Sequence, residues 1–306
     1  MIRVVFLGTA ASRPTVGRNV SALAIHREGE TLLFDCGEGT QRQMMRFRTG
    51  FSIRDIYFTH LHADHFLGVI GLLRTMGLQG WEEAVTLWAP AGGKSILHEA
   101  VHLGVERVPF EIRIRELAAG DAVAREDYDV VAYRTDHGTR SLGFALVEHE
   151  RLGRFNPERA RSLGVPEGPL FGRLHRGETV TFDGRSVGPE QVVGPPRRGR
   201  RIVYTGDTRP CQATREISKA ADLLIHDATF AEDEAERARS TGHSTARQAA
   251  KLARDAGVAN LALTHLSSRY ADDHRPLERE ARAVFRRCVV AYDGLELEVP
   301  FPDDGA

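Results

Sequence analysis

The stretch Thr59-His60-Leu61-His62-Ala63-Asp64-His65 decides the fold, because it places three imidazoles and one carboxylate within six consecutive positions. Ordinary turns prefer Gly, Pro, Asn and Asp. Clusters of His and carboxylate residues are instead typical of metal sites. A solvated polar turn after a strand is the alternative interpretation, and it weakens if distant parts of the chain supply further ligands.

Composition limits the class of protein. The chain has 306 residues, 42% of them hydrophobic and 27% charged, as in ordinary globular proteins, and we predict a single domain over residues 1–306. The net charge of −1 means that a nucleic-acid partner must be bound by local basic patches. Three distant cysteines without metal-type spacing favour a reducing, cytoplasmic location. No apolar run is long enough to predict a membrane span.

Strands and single helices alternate along the chain, which predicts α/β layers with mixed sheets. Predicted strands span residues 3–7, 20–25, 31–34, 52–59, 85–89, 111–117, 128–133, 144–150, 179–182, 202–205, 222–225, 260–264 and 295–299. Predicted helices span residues 41–48, 66–76, 94–103, 246–256 and 275–287. Polar residues follow several strands, and strand ends of layered α/β folds commonly form ligand sites.

Residues 151–176 differ from the rest, because Gly and Pro recur along them. From Glu150 to Arg176 the segment carries six Arg and three Glu, hence a charge of +3 with His neutral. We interpret it as an insertion at about 151–176 that forms a protruding arm. A surface loop with solvated arginines is the alternative.

The chain offers ligands for two metal ions. His60 and His62 can converge on one ion, and Asp64 and His65 can bind a second. Further ligands follow later strands at His137, Asp207 and His265. Two ions about 3.5–4 Å apart activate a water and stabilise an in-line displacement, which indicates a hydrolase.

These motifs resemble the metallo-β-lactamase superfamily, whose pattern is H-x-H-x-D-H followed by His, Asp and His at later strand ends. The resemblance implies an αββα sandwich. It also implies a role for each ligand: His60, His62 and His137 bind the first ion; Asp64, His65 and His265 bind the second; Asp207 bridges them. Asp35 is implied to orient the histidine loop without binding metal.

Within this superfamily the flanking segments resemble the ribonuclease Z family over nearly the whole chain. The matching segments are residues 34–41, 137–144, 204–209 and 264–270. The resemblance implies a zinc-dependent endoribonuclease that removes the 3′ trailer of tRNA precursors after the discriminator nucleotide, using a hydroxide activated by two metals. It implies two Zn²⁺ per subunit, with Mn²⁺ as the alternative. The insertion at about 151–176 resembles the family's exosite arm, which implies that it binds the body of the tRNA, and the family is implied to be a homodimer in which the arm serves the partner's site.

Two segments carry the family's acid–base pair. In Gly242-His243-Ser244-Thr245-Ala246 the histidine is implied to protonate the leaving oxygen, and Asp227 in His226-Asp227-Ala228-Thr229 is implied to hold it. The family usually has Glu where this chain has Asp227. Without the resemblance, His243 is simply a residue that precedes a helix cap. We further expect Asp64 to accept a proton from the attacking water.

Four arginines are candidate contacts with RNA: Arg18, Arg269, Arg154 and Arg173. The loop 14–19 resembles a family loop near the cleavage site, but it has Val16 where a Lys is common. Two other functions stay open at this point. One is a dinuclear hydrolase of small phosphodiesters or esters, for which the arm is dispensable, and the other is a non-catalytic RNA-binding protein with a residual metal site.

Overall fold

The computed structural model describes residues 1–105 and 107–302, and two seven-stranded sheets form its centre. The strands are β1 (Ile2–Gly8), β2 (Ala22–Arg27), β3 (Glu30–Phe34), β4 (Ile53–Tyr57), β5 (Val85–Pro90), β6 (Ile112–Leu117), β7 (Ala122–Ala124), β8 (Tyr128–Arg134), β9 (Leu142–Glu148), β10 (Val180–Phe182), β11 (Arg185–Val187), β12 (Arg201–Tyr204), β13 (Leu223–Asp227), β14 (Leu261–Thr264), β15 (Cys288–Val290) and β16 (Glu296–Val299). The α-helices are α1 (Thr40–Arg46), α2 (Ala63–Phe66), α3 (Gly68–Leu78), α4 (Lys94–Val101), α5 (Pro157–Ser162), α6 (Pro169–His175), α7 (Gln212–Ile217), α8 (Ala235–Thr241), α9 (Ala246–Ala256) and α10 (Arg275–Val284).

Both sheets are mixed, as the sequence predicts. The first has the order β16-β1-β2-β3-β4-β5-β6, with β3 to β6 parallel. The second has the order β15-β14-β13-β12-β9-β8-β7, with β12 to β15 parallel. Because parallel strands end at the same edge of a sheet, the polar residues that follow them collect along that edge.

Alternation along the strands separates the core into layers. In β1, Ile2, Val4 and Phe6 point into the core between the sheets, whereas Val5 and Leu7 point towards the outer helices. Helices α1, α3 and α4 cover the first sheet, and α7, α9 and α10 cover the second. The chain therefore forms the αββα sandwich that the resemblance implies.

Helix α9 has the bounds that the sequence predicts. The side chain of Thr245 accepts a hydrogen bond from the N–H of Gln248, and the side-chain oxygen of Gln248 accepts one from the N–H of Thr245, so that a complete capping box begins the helix. Gly257 ends it in the left-handed conformation, with φ of +65°. Five alanines and one leucine make its buried face and pack on the second sheet.

Besides small differences in the helices predicted over 41–48 and 94–103, which are Thr40–Arg46 and Lys94–Val101, two predicted helices differ in their bounds. The helix predicted over 66–76 runs from Gly68 to Leu78, and a separate turn of helix, Ala63–Phe66, contains Asp64 and His65. The helix predicted over 275–287 ends at Val284, because Phe285 is extended, with φ of −141°. The first difference places two predicted ligands on a helical turn.

The arm is longer and more regular than the predicted segment 151–176. It contains α5, α6 and the β10–β11 hairpin, and it closes where Arg151 and Arg197 exchange backbone hydrogen bonds of 2.7 and 2.9 Å. Six side chains form its own small core: Ala160, Val165, Leu174, Val180, Val187 and Val192. Pro157 and Pro169 lie in the first turns of the helices, where the missing N–H is harmless, so they begin helices rather than break them.

A buried ion cluster lies where the arm joins the sandwich. The guanidinium of Arg200, 1% exposed, donates from Nε and Nη2 to the two oxygens of Glu148, each at 2.7 Å. Arg27 adds a bond of 2.9 Å to the same carboxylate. Strand β9 begins at Leu142, beside the edge where the parallel strands end, and it finishes at Glu148. The arm follows Glu148 and therefore emerges at the opposite end of the sheet.

Candidate metal centre and acid–base pair

Strand ends bring the predicted metal ligands together. His60 follows β4, His137 follows β8 and His265 follows β14, while Asp207 comes three residues after β12. The remaining ligands come from the loop and helical turn at 62–65. All seven predicted ligands meet at this edge in two groups that share Asp207.

The first group is His60, His62, His137 and Asp207. The Nε2 atoms of His60 and His137 lie 2.9 and 3.3 Å from Nδ1 of His62. They lie 3.7 and 3.6 Å from Oδ2 of Asp207. Four donor atoms from three segments of the chain thus lie within 4.8 Å of one another.

The second group uses the other oxygen of Asp207. Oδ1 of Asp207 lies 3.3 Å from Nε2 of His65 and 3.2 Å from Nε2 of His265. Both of these nitrogens lie 3.5 Å from Oδ2 of Asp64. Each carboxylate oxygen of Asp207 therefore faces a different group.

The donor atoms fit divalent metal ions. A tetrahedral ion with bonds of about 2.0–2.2 Å holds neighbouring ligand atoms about 3.4 Å apart, which is close to the separations of 2.9–3.7 Å found here. His65 Nε2 and Asp207 Oδ1 are buried and have no hydrogen-bond partner. A bound cation satisfies such atoms, whereas a hydrophobic interior does not.

Asp35 holds the histidine loop without joining either group. Its Oδ1 accepts the N–H of Thr59 at 2.8 Å, and its Oδ2 accepts Nδ1–H of His65 at 2.8 Å and the hydroxyl of Tyr204 at 2.9 Å. The bond to Nδ1 leaves Nε2 of His65 as the free ligand atom. Asp35 is fully buried with φ of +56°, so the turn after β3 is fixed by these contacts.

The other histidines are oriented in the same manner. Nδ1 of His137 donates to the carbonyl of Gly242 at 2.8 Å, and Nδ1 of His265 lies 2.9 Å from the hydroxyl of Thr229. Nδ1 of His60 lies 3.1 Å from the hydroxyl of Thr59. Such partners fix the ring and the tautomer, so that Nε2 faces the other candidate ligands.

Charge balance keeps the shared carboxylate ionised. Burial alone raises the pKa of Asp207, but the surrounding imidazoles, led by His265 and His65, hold that pKa well below its usual range. Burial likewise opposes the charge of Asp64, and its bond to His265 lowers the pKa of this group. Both acids are ready to bind a cation at neutral pH.

Asp227 and His243 form a hydrogen-bonded pair beside the two groups. Oδ2 of Asp227 accepts Nδ1–H of His243 at 2.8 Å and the N–H of Thr208 at 3.0 Å. Its Oδ1 accepts the N–H and hydroxyl of Thr229 at 2.9 and 2.7 Å. The shorter acid thus reaches the histidine directly.

The pair gives His243 the properties of a proton donor. Burial lowers the pKa of His243, but the adjacent Asp227 carboxylate outweighs burial and raises it to about 9. The ring lies between those of His137 and His265, with centroids 4.8 and 5.1 Å away. The ring of His243, with its raised pKa, therefore lies next to both ligand groups.

The loop after β1 forms one wall of the site. The N–H of Ser12 donates to Oδ2 of Asp64 at 2.8 Å, and the side chain of Arg13 bonds the hydroxyl of Ser268. Arg18, a predicted RNA contact, is only 7% exposed and donates to the Thr9 hydroxyl and the Ala291 carbonyl. Arg18 therefore braces the loop, and we propose no contact with RNA for it.

The other predicted RNA contacts lie on the surface. Arg269 is 46% exposed and pairs with Glu234 at 2.8 Å near the mouth of the site. Arg154 and Arg173 lie in the arm, and Arg173 pairs with Glu178 at 2.7 Å. The structure thus places these three arginines at two separate locations.

Sequence reasoning missed the residues that support the ligands. Tyr204, Thr229 and the carbonyl of Gly242 each hold a ligand or its partner. Of these three residues, only Thr229 could have been found from the sequence, because it lies two positions after Asp227, which is a predicted site residue.

Within residues 1–105 and 107–302, the structure has no helix of the length and apolar character needed to cross a bilayer.

Comparisons with known proteins agree with this geometry. A domain description for the β-lactamase superfamily matches residues 191–266, and one for the anti-Pycsar protein Apyc1 matches residues 2–147. Ribonuclease Z of Gemmatimonas aurantiaca is 57% identical, over 98% of this chain and 96% of its own length. The chain belongs to the ribonuclease Z family. Ribonuclease Z of Myxococcus xanthus is 54% identical over 99% of both chains, and members of this family are endoribonucleases.

Solved structures show the same fold. The short form of human tRNase Z has 27% identity and a TM-score of 0.71, covering 98% of this chain and all of its own. YhfI of Bacillus subtilis, a metallo-β-lactamase fold protein, has a TM-score of 0.70 at 18% identity, covering 97% of this chain and 98% of its own. The second likeness concerns the fold alone.

Proposed function

We propose that this ribonuclease Z family member removes the 3′ trailer from tRNA precursors, by hydrolysis of the phosphodiester after the discriminator nucleotide, with two Zn²⁺ in the groups that share Asp207. The observation that carries the proposal is that the two carboxylate oxygens of Asp207 face different ligand groups. Its Oδ2 faces His60 and His137, and its Oδ1 faces His65 and His265. One carboxylate between two sets of ligands is the arrangement of a two-metal hydrolase. Mn²⁺ is the alternative ion.

The ions, when bound, supply a hydroxide nucleophile at neutral pH and stabilise negative charge on the phosphate. Asp64 lies at the mouth of the second group and accepts the proton that the attacking water loses. His243 donates a proton to the departing O3′ of the discriminator nucleotide. Asp227 holds His243 in position and keeps it charged. The bond from phosphorus to O3′ breaks as the new bond to the water oxygen forms, so the trailer keeps the phosphate.

The arm is the proposed contact with the tRNA body. Arg side chains bind phosphates without reading sequence, which suits an enzyme for many tRNAs. Because the arm emerges at the end of the sheet opposite the metal groups, we propose that it serves the site of a partner subunit in a homodimer. A cytoplasmic location stays a prediction.

The test uses two substrates and two variants. We expect the purified protein with Zn²⁺ to cut a tRNA precursor without CCA after the discriminator nucleotide, as shown by mapping of the ends; a precursor that encodes CCA shows how this end alters cutting. Changing Arg154 and Arg173 together to Ala keeps the core of the arm, and changing Arg54 and Arg113 to Ala is the matched control. The arm variant should lose cleavage of the precursor and keep hydrolysis of bis(p-nitrophenyl) phosphate.

Equal loss of both activities in the arm variant would contradict the role of the arm. Hydrolysis of the small phosphodiester without any cleavage of precursors would instead favour a hydrolase of small substrates. A protein that binds RNA but has no turnover after Zn²⁺ or Mn²⁺ is restored would refute the enzymatic proposal.

A further inference from the structure

A groove leads away from the first metal group between two loops, residues 91–93 after β5 and 138–141 between β8 and β9. A cavity of about 330 Å³ beside His62 is lined by Leu61, Ile96 and Arg140. A second cavity, of about 750 Å³, continues past His137 and shares Arg140 with the first. The groove therefore begins at a metal ligand, and Arg140 lies between its two halves.

Arg140 is held in this position by the opposite loop. Its Nη1 donates to the carbonyl of Ala91 at 3.1 Å. A β-carbon at Gly92, where φ is +87°, would lie 2.7 Å from the same nitrogen, so only glycine lets the guanidinium lie against the loop. Glu116 fixes the loop by accepting the N–H groups of Gly92 and Lys94, each at 2.9 Å.

The charge of the groove favours an anion. Of the acidic side chains at the groove, Asp136 is paired with Arg209 at 3.0 Å, and Glu116 accepts two backbone N–H groups. Among the residues that the structure describes, no carboxylate lies within ion-pair distance of Arg140. Exposed Arg140 therefore presents its charge to the groove, and Leu61 and Ile96 offer apolar surface beside it. One guanidinium with adjacent apolar surface suits a nucleotide chain, whose phosphates are charged and whose bases are not.

We propose that this groove binds the single-stranded 3′ trailer of the substrate and that Arg140 contacts one of its phosphates. The inference rests on the proposed function and adds a binding site to it. Both halves of the groove adjoin the first metal group, one at His62 and the other at His137, so a strand that continues from the scissile phosphate can enter it. The trailer is the part of a tRNA precursor that is single-stranded and continuous with the scissile phosphate.

The test varies the length of the trailer. We compare Arg140→Ala with Arg54→Ala, which removes an exposed arginine at the other end of β4. The substrates carry trailers of one nucleotide and of roughly fifteen nucleotides. For the long trailer, KM should rise about 10-fold in Arg140→Ala while kcat changes little, since one charged hydrogen bond is lost. For the single-nucleotide trailer, both variants should match the unchanged protein.

A binding measurement checks the inference without catalysis. Fluorescence anisotropy of a labelled single-stranded RNA, with the metal removed by chelation, should show weaker binding to Arg140→Ala. The slope of log K against log salt should fall by about 0.7, as expected for one lost phosphate contact. The inference would be overturned if Arg140→Ala raised KM equally for the short and the long trailer. It would also be overturned if this variant left both KM and the affinity for single-stranded RNA unchanged. If the protein bound single-stranded RNA through Arg140 but cut no precursor, the proposed function would be refuted, whereas the groove would still be an RNA-binding site.

Discussion

The roles of Asp227 and His243 predict strong non-additivity between their substitutions. The perturbations are Asp227→Asn, His243→Ala and the double variant. Asp227 receives four hydrogen bonds, two on each oxygen. An Asn side chain accepts on one side only, so either orientation sets its NH₂ group against an N–H donor. The charge that holds His243 is lost as well.

The expected magnitudes follow from these contacts. Removing a general acid lowers the rate about 10²- to 10⁴-fold, so His243→Ala should lower kcat by that factor. A hydrogen bond to a charged group contributes about 1.5–3 kcal/mol, so Asp227→Asn should lower kcat roughly 10- to 150-fold. If Asp227 acts only through His243, the double variant should be no slower than His243→Ala alone.

The assay is single-turnover cleavage of a tRNA precursor at saturating enzyme, with metal content measured on the same samples. The control is Arg54→Ala, which should match the unchanged protein. Asp227 and His243 also lie within ligand distance of Asp207 and His265, so a direct role in metal binding is the competing explanation. Multiplicative losses in the double variant, or loss of metal from His243→Ala, would refute the proposed pair.

Two further substitutions test the centre and the fold. Asp207→Ala should remove metal from both groups, since each contains one oxygen of Asp207, and elemental analysis showing full occupancy would contradict the shared role. Glu148→Gln should lower the free energy of unfolding by about 3–5 kcal/mol in urea, because it leaves buried Arg200 unpaired; a change within 1 kcal/mol would refute this. Burial opposes the charge of Glu148, but hydrogen bonds from Arg200 and Arg27 outweigh burial and lower its pKa from 4.5 to about 2. The contribution of Glu148 to the free energy of unfolding is therefore complete above pH 4.5 and is lost as the pH falls towards 2. Glu148→Gln should lack this part of the pH dependence of stability.

Sequence reasoning identified the candidate ligands that the structure brings together because each of them lies within three residues of a strand end or belongs to one short motif. Burial was harder to predict. Arg18 was expected at the RNA surface, but its partners Thr9 and Ala291 come from β1's end and from a segment 273 residues away. Residues that meet across such distances leave no local pattern.

The arm shows a second limit. Its prolines and glycines predicted irregular structure, yet two helices begin at prolines and Asn156 caps one of them by accepting the N–H of Arg159. Its core residues are too widely spaced to form a periodic pattern, since they come from two helices, a hairpin and the connecting turns. Only folding brings them together, and that is why the length of the arm was underestimated.

The closure of the arm at Arg151 and Arg197 has a consequence for the evolution of this fold. The arm has its own core, and its two ends lie side by side. It can therefore be gained, lost or exchanged by a single insertion or deletion, because in the sandwich it replaces only a short connection between the neighbouring strands β9 and β12. The ligands at the far edge need no compensating change. Chemistry and substrate choice can therefore diverge independently, and one catalytic framework can acquire new macromolecular targets without passing through inactive intermediates.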